Sequence, residues 1–435
     1  MKTIIISGAS SRSGKTTVTC ALLSTLRQRG FNVIAYKTGP DYIDTEYLRR
    51  CGKCEGYNLD NWLMSDERML ELFTQTSSGK DIALIEGAMG LYDGGVNSTA
   101  SIAKMIDAPV VLVINARSMG ESAAAVALGL REYDRVKIAG VILNFTGSEY
   151  HEKIISSSLE EKGIKFFGAL RRDDGLKIPE RHLGLLTSQE NDGFDAERLR
   201  VKFESSVEVD SMLNVAEESK FFWPNSKQSY PEKVYNVKIG VAQDKAFTFC
   251  YPESLMMLER FGAEIVSFSP ISDDSLPDAD GYIFVGGYPE VFADELSENT
   301  AMIDSVRKIA GKKPILAECG GMMYLCRKIN DFDMAGVIPF DAKMSERPVM
   351  GYREARALRD NLLCSEGGVL RGHEYHYGRV DGESRPVFEV TRRDGSVLGL
   401  TGFAGERMLA SWLHVNFWGY PDVAENFLKS TQNPS

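Results

Sequence analysis

Long apolar runs are missing from this chain. No stretch approaches the roughly 18 apolar residues that a membrane-crossing helix needs. The opening Thr3-Ile4-Ile5-Ile6 run is closed by Ser7-Gly8, too early for a secretory leader. A basic excess is missing too. Lys and Arg number 50 against 61 Asp and Glu, a formal charge of −11, which speaks against nucleic acid as a partner because such binding draws on surplus cations. The seven cysteines are odd in number and scattered, so they offer no disulfide framework and suit a reducing cytoplasm. Cys51-Gly52-Lys53-Cys54 has metal-ligand spacing, yet no second pair matches it and a closed zinc site takes four ligands. Internal repeats and low-complexity tracts are also lacking.

What remains is an ordinary globular composition, 43% hydrophobic and 26% charged, in a chain of 435 residues. That length exceeds one hydrophobic core, so two or three domains are expected. In the first half, Thr3–Ile6, Val33–Tyr36, Ile82–Ile85, Val110–Ile114 and Ile138–Leu143 read as buried strands. Lys15–Arg29, Asp66–Thr74, Ser101–Met105 and Ser122–Glu132 read as helices between them. Near-continuous apolar strands alternating with helices imply an α/β fold with a parallel sheet covered on both faces. Periodicity fades after Arg200, and the proline-bearing polar stretch around residues 219–236 reads as a linker between domains at 1–218 and 237–435. Alternation restarts with strands at Val237–Ala242, Ile265–Phe268, Ile283–Val285 and Pro314–Ala317 and a helix at Glu253–Arg260, before a strand-rich stretch that includes Val369–Tyr377 and Leu398–Phe403.

Between the first strand and the first helix lies Gly8-Ala9-Ser10-Ser11-Arg12-Ser13-Gly14-Lys15-Thr16-Thr17. A phosphate cradle needs backbone N–H groups converging on oxygens, a lysine for the terminal phosphates and a hydroxyl for magnesium. Ser11 to Thr17 supply them at a helix start, which points to ATP, although the first glycine is Gly8 where the strict spacing would put it at Ala9. Mg2+ beside a triphosphate also wants carboxylates. Asp41 and Asp44 follow the second strand and Glu86 ends the third; ligands of an open parallel sheet gather at such strand ends.

A second chemistry sits about three hundred residues on. Ala317-Glu318-Cys319-Gly320-Gly321 places a cysteine between an apolar run and a helix, with the small residues that a sharp strand-to-helix elbow requires. Gly320, and Gly287 in Gly286-Gly287-Tyr288-Pro289-Glu290, are candidate oxyanion-hole donors. Of the five histidines, His414 is the candidate base, with His373 and His376 as rivals. Metal binding by that rival pair is disfavoured, because three residues apart in a strand they face opposite sides. A nucleotide cradle joined to a reactive cysteine reads most simply as a synthetase that draws ammonia from L-glutamine.

These residues resemble the cobyrinate a,c-diamide synthase family, which includes the hydrogenobyrinate and nickel-sirohydrochlorin a,c-diamide synthases. The resemblance runs nearly end to end. It rests on the cradle, Lys37-Thr38-Gly39-Pro40-Asp41-Tyr42-Ile43-Asp44, Tyr57-Asn58-Leu59-Asp60, Glu86-Gly87 through Asp93-Gly94, and Pro179-Glu180-Arg181-His182-Leu183-Gly184-Leu185. Further on it rests on Asp244-Lys245-Ala246-Phe247, the Gly286–Glu290 run, the Cys319 elbow, Gly351-Tyr352-Arg353-Glu354 and Arg371-Gly372-His373-Glu374. It implies a dethiobiotin-synthetase-like P-loop domain followed by a triad-type glutamine amidotransferase domain. It also implies ATP-dependent activation of the c and then the a carboxylate of a tetrapyrrole as acyl phosphates, with ammonia from Cys319-dependent glutamine hydrolysis displacing phosphate. Lys15 would then stabilise phosphoryl charge, with Thr16, Asp44 and Glu86 around Mg2+. Asp41, Tyr42, Tyr57, Asn58, Tyr92 and Asp93 would face the substrate. Asn416 stands where many members carry a second histidine. Cys319 and His414 are therefore expected to work as a dyad, oriented by backbone or by Asn416.

The rival readings are the same reaction on nickel sirohydrochlorin, amidation of other side chains as in cobyric acid synthases, and a P-loop ATPase with an inactive glutaminase module. The sequence leaves oligomeric state open, and a homodimer is compatible with all of the above.

Overall fold

A computed structural model describes residues 1–173, 180–181, 184–185, 194–219, 234–381 and 385–432. The chain forms two compact units, Met1–Trp62 with Asp66–Ser226 and Lys227–Ser435 with Leu63–Ser65. Most of the linker expected at 219–236, and Pro179, His182 and Leu183 of one motif, lie outside the described residues.

In the first unit the strands are β1 (Lys2–Gly8), β2 (Val33–Thr38), β3 (Gly56–Leu59), β4 (Ile82–Glu86), β5 (Val110–Asn115), β6 (Ile138–Thr146) and β7 (Phe166–Arg171). They form one sheet in the order β3-β2-β4-β1-β5-β6-β7, with every neighbouring pair parallel. The β-branched centres of β1, β4 and β5 are buried, which is why they read as uninterrupted apolar runs. The helices are α1 (Lys15–Gln28), α2 (Tyr42–Gly52), α3 (Asp66–Ser77), α4 (Thr99–Met105), α5 (Ser122–Tyr133), α6 (Glu149–Glu161), α7 (Ala196–Glu204) and α8 (Val209–Ala216). Short pairing strands β8 (Glu180–Arg181) and β9 (Gly184–Leu185) complete this unit.

Strand order reverses at β1, so the loops after β1, β2 and β4 open at the same sheet edge. α1 packs against α2 and α7, and Val18, Leu22 and Leu26 are buried along it. Each such side chain contributes about 1.5–3 kcal/mol by leaving water, which fixes the helix that carries Lys15 and Thr16. Asp41 caps α2 by accepting from the Asp44 amide at 2.9 Å. Lys53 in the left-handed region (φ 42°) ends the helix.

The second unit carries two sheets. One contains β10 (Val237–Ala242), β11 (Ala263–Phe268), β12 (Gly281–Phe284), β13 (Ile315–Glu318), β20 (Phe403–Gly405) and β21 (Met408–Ser411), in the order β11-β10-β12-β13-β21-β20. All its neighbours are parallel except β20 with β21. The other contains β14 (Lys328–Ile329), β15 (Phe332–Asp333), β16 (Asp341–Ala357), β17 (Val369–Asp381), β18 (Phe388–Thr391), β19 (Val397–Thr401) and β22 (His414–Val415). Helices α9 (Pro252–Arg260), α10 (Ala293–Glu298), α11 (Thr300–Ile309), α12 (Gly320–Leu325) and α13 (Pro421–Gln432) complete it. Among the described residues no helix is long and apolar enough to cross a membrane.

The expected strands and helices are present with boundaries that shift by a few residues, except that the expected strand Leu398–Phe403 is divided at Gly402 between β19 and β20, which lie in different sheets. Sequence periodicity missed β3, α2, α6, β7, α7 and α8 in the first unit and α10, α11 and α13 in the second, among other elements. α2 is bracketed by Pro40 and Gly52 and carries an alternating polar face, and β3 has only four residues, too few to show a period.

Candidate functional site

The cradle of the first unit is shaped by its glycines. A side chain at Gly8 would meet Ser13 Oγ at 2.3 Å, and one at Gly14 would meet Asn144 Nδ2 at 1.9 Å. Gly14 also sits at φ 88°, a left-handed conformation that a residue with a Cβ adopts only at a cost. These constraints account for the glycine at 8: it is needed against Ser13, whatever the strict spacing. Asn144 ties the loop to β6 by donating to the Ser13 carbonyl at 3.1 Å. Ser11 and Arg12 are exposed, whereas Ser13 and Lys15 are buried. Lys15 Nζ donates to the Ser10 carbonyl at 3.1 Å. Burial and then the nearby Lys37 charge lower its pKa to about 8. Thr16 and Thr17 open α1.

Thr16, Asp44 and Glu86 converge as expected, but around a residue that the sequence reading overlooked. Lys37, on β2, is only 2% exposed; its ammonium donates to Asp44 Oδ2 at 2.5 Å and to Glu86 Oε1 at 2.7 Å. Thr16 Oγ1 donates to the same Glu86 oxygen at 2.8 Å. Burial works against the charge on Lys37, yet Asp44 and Glu86 outweigh it and raise its pKa. Burial likewise pushes Asp44 up, but Lys37 holds that carboxyl below its ordinary range. Glu86 goes the other way: it is fully buried, and burial raises it despite Lys37. Its Oε2 is buried without a hydrogen-bond partner. Burial and then the Asp44 charge push the Asp41 carboxyl up to about 7. The signal for Lys37 was present in the sequence: a lysine inside a strand with no exposed position needs an acid partner.

The expected substrate residues fall into different settings. Asn58 is buried and fully engaged, donating to the carbonyls of Gly39 at 2.8 Å and Asp41 at 2.9 Å, and accepting from Thr45 at 3.3 Å. It thus holds the 39–41 turn in place. Asp93 Oδ2 accepts from the Gly90 amide at 2.9 Å. Tyr92 donates to the Leu130 carbonyl at 2.7 Å and packs on Tyr133. Tyr42 is buried in the first turn of α2, and the Tyr57 ring packs near Tyr36.

In the second unit Cys319 has φ 48° and ψ −108°, between the end of β13 and the start of α12. Its amide donates to the Ser411 carbonyl at 2.7 Å, which pins the elbow to β21. The two glycines that follow are enforced by space. A side chain at Gly320 would meet Gly287 N at 3.0 Å, and one at Gly321 would meet Phe284 O at 2.1 Å. Gly287 itself leaves no room, with Ala246 O 2.0 Å from where its Cβ would lie. The backbones of Gly287 and Gly320, the two expected oxyanion donors, therefore run close together. Burial and then Glu290 push the Cys319 thiol well above its ordinary range, so the resting group is a thiol that needs a base.

His414 is fully buried on β22, and its Nδ1 lies 3.1 Å from Glu318 Oε2. A carboxylate that the sequence reading gave no role thus faces His414. Asn416 does not orient the histidine; its side-chain amide donates to Glu253 at 2.8 Å. His373 stacks on His414 with ring centroids 5.0 Å apart, and its Nδ1 lies 3.2 Å from Tyr251 Oη. His376 instead stacks on Trp412, and its Nδ1 lies 2.7 Å from the Gly378 carbonyl. Cys51 is buried at the end of α2, with Cys54 just beyond the helix.

Both units match known domain families. Residues 4–186 match the CobQ/CobB/MinD/ParA nucleotide binding domain, and residues 238–421 match the CobB/CobQ-like glutamine amidotransferase domain. A cobyrinate a,c-diamide synthase of Dehalococcoides mccartyi (strain CBDB1) is 39% identical, with 99% of this chain and 98% of that protein aligned. The chain belongs to the cobyrinate a,c-diamide synthase family. Relatives of the same name in Picrophilus torridus and Methanothermobacter thermautotrophicus are each 38% identical, over 100% and 98% of the chain and 99% of either relative. As a member of this family the chain is a glutamine-dependent ligase built from a P-loop unit and an amidotransferase unit.

Proposed function

We propose that this chain amidates the a and c acetate carboxylates of cobyrinate, using ATP and L-glutamine. The observation that carries this reading is the end-to-end similarity to relatives that bear that name. In this reading the Ser11–Thr17 loop cradles the triphosphate, and Lys15 turns from the Ser10 carbonyl to the transferring phosphoryl group. The substrate carboxylate takes that group to become an acyl phosphate. Asp41, Tyr42, Tyr57, Asn58, Tyr92 and Asp93 position it, Asn58 by holding the 39–41 turn. Cys319 attacks the glutamine carboxamide with His414 as base, and the amides of Gly287 and Gly320 hold the oxyanion. Ammonia then displaces phosphate from the activated carboxylate.

Mg2+ fits the first site. Thr16, Asp44 and Glu86 offer hard oxygen donors, and a buried Glu86 oxygen is without a partner. Those three residues would hold the ion, which supplies charge neutralisation for phosphoryl transfer. Lys37 already holds a cation's place between the two acids. Domain limits of 1–218 and 237–435 joined by 219–236, a cytoplasmic setting and a homodimer belong to the same proposal.

The deciding test is mass-resolved product formation with cobyrinate and, in parallel, nickel sirohydrochlorin, each with ATP, Mg2+ and glutamine. A diamide from cobyrinate alone is the expected outcome. A diamide from nickel sirohydrochlorin alone would move the reading to the nickel pathway, because both macrocycles present equivalent acetates. No product from either would refute the synthetase reading.

A further inference from the structure

We propose that Glu318, the residue directly before the nucleophile, is the positioning acid of the glutaminase, so that Cys319, His414 and Glu318 form a triad. The inference rests on the assignment of Cys319 and His414 made above.

Sheet register brings the three together. β13 runs parallel to β21 with Glu318 opposite Ser411, and the Cys319 amide bonds the Ser411 carbonyl. Only two residues separate Ser411 from His414, so the histidine emerges beside the end of β13. Both Glu318 oxygens are used there. Oε2 lies 3.1 Å from His414 Nδ1, and Oε1 accepts from the Val415 amide at 3.3 Å. The carboxylate thus holds the ring and the backbone that carries it.

A carboxylate can only accept, so this contact places the ring proton on Nδ1 and leaves Nε2 as the basic nitrogen. The surroundings keep the ring from turning. His373 stacks against it and contacts Tyr251, while Gly286 leaves space that a side chain would fill, with its Cβ 2.5 Å from His414 Cε1. Asn416, the other candidate for this task, is committed to Glu253 and to the Gly419 amide, which donates to its Oδ1 at 3.2 Å.

The proton path follows from this arrangement. The Cys319 thiol passes its proton to His414 Nε2 as sulfur bonds to the glutamine carboxamide carbon. The imidazolium then gives that proton to the leaving nitrogen; the carbon–nitrogen bond breaks, and ammonia departs from a thioester. Water, deprotonated by the same nitrogen, adds to the thioester carbon, and the carbon–sulfur bond breaks to release glutamate and the thiol. Glu318 takes no proton. It fixes the tautomer and faces the imidazolium charge while that charge exists.

The test compares Glu318→Gln, Glu318→Asp and Asn416→Ala in the full chain, with ATP, Mg2+ and cobyrinate present. Glutamate release gives kcat and KM for glutamine, and ammonium-supported amidation reports the rest of the molecule. Glu318→Gln is expected to lose on the order of 10²-fold in kcat while KM and ammonium-supported synthesis hold. Glu318→Asp should recover at least about tenfold of that loss, and Asn416→Ala should stay within about threefold of wild type. A Glu318→Gln enzyme within about threefold of wild type would overturn the inference. So would an equal loss of ammonium-supported synthesis, which would make Glu318 merely structural. Cys319→Ala in the same assay separates the two levels. If it keeps glutamine use, the nucleophile assignment fails and the triad with it. If it abolishes glutamine use while Glu318→Gln does not, only the role of Glu318 falls.

Discussion

Replacing Lys37 by Met is the most telling perturbation of the first unit. Met matches the length of the lysine stem but removes the ammonium that lies 2.5 Å from Asp44 and 2.7 Å from Glu86. Lys37 and Glu86 are all but inaccessible and the Asp44 side chain is 15% exposed, so water cannot take over the lost contacts. Breaking a buried ion pair by deleting one partner costs about 3–5 kcal/mol. Part of that cost disappears if Glu86, whose burial already favours the neutral form, takes up a proton. For a unit of this size each kcal/mol moves the midpoint by about 2–4 °C, so a drop of roughly 6–20 °C is expected. Thermal unfolding followed by circular dichroism measures it. Millimolar Mg2+ should restore more of the midpoint in Lys37→Met than it adds to wild type, because the ion then meets two uncompensated carboxylates. A variant that melts within about 2 °C of wild type would refute the claim that Lys37 is the counter-charge of this site.

Lys15→Ala should abolish amidation with glutamine and with ammonium alike, because in the proposed reaction both need the acyl phosphate; product mass under each nitrogen source is the check. Gly287→Ala should cut glutaminase turnover by at least about 10²-fold while leaving ammonium-supported synthesis, because its Cβ would fall 2.0 Å from Ala246 O and displace the proposed oxyanion donor. Burial lowers the His376 pKa to about 4, with the Gly378 carbonyl opposing. Unfolding raises it towards 6.5, so its contribution is present above about pH 6.5 and lost as pH falls through about 4. His376→Phe keeps a ring against Trp412 and cannot titrate, so its stability should decline less over that window in denaturant titrations.

The sheet of the first unit was legible because a strand buried on both faces must be apolar throughout, and Ile4-Ile5-Ile6 or Val110 to Ile114 can satisfy nothing else. The cradle and the elbow were legible because tight backbone geometry admits few residue types, as Gly14, Gly320 and Gly321 show. Polar partnerships were not. Lys37 meets acids from a helix and from another strand, and Glu318 meets a histidine ninety-six positions away. Asn416, an expected orienter alongside backbone because it stands where many family members carry a second histidine, points instead to Glu253. Such pairings depend on sheet order, which local periodicity does not encode.

The left-handed backbone at Cys319 sets the demands of reactivity against those of folding. A non-glycine residue held at φ 48° and ψ −108° carries about 1–3 kcal/mol of strain. Glycine would relieve much of it, so Cys319→Gly should melt above wild type while releasing no ammonia from glutamine. The elbow thus trades folding stability for the placement of its thiol.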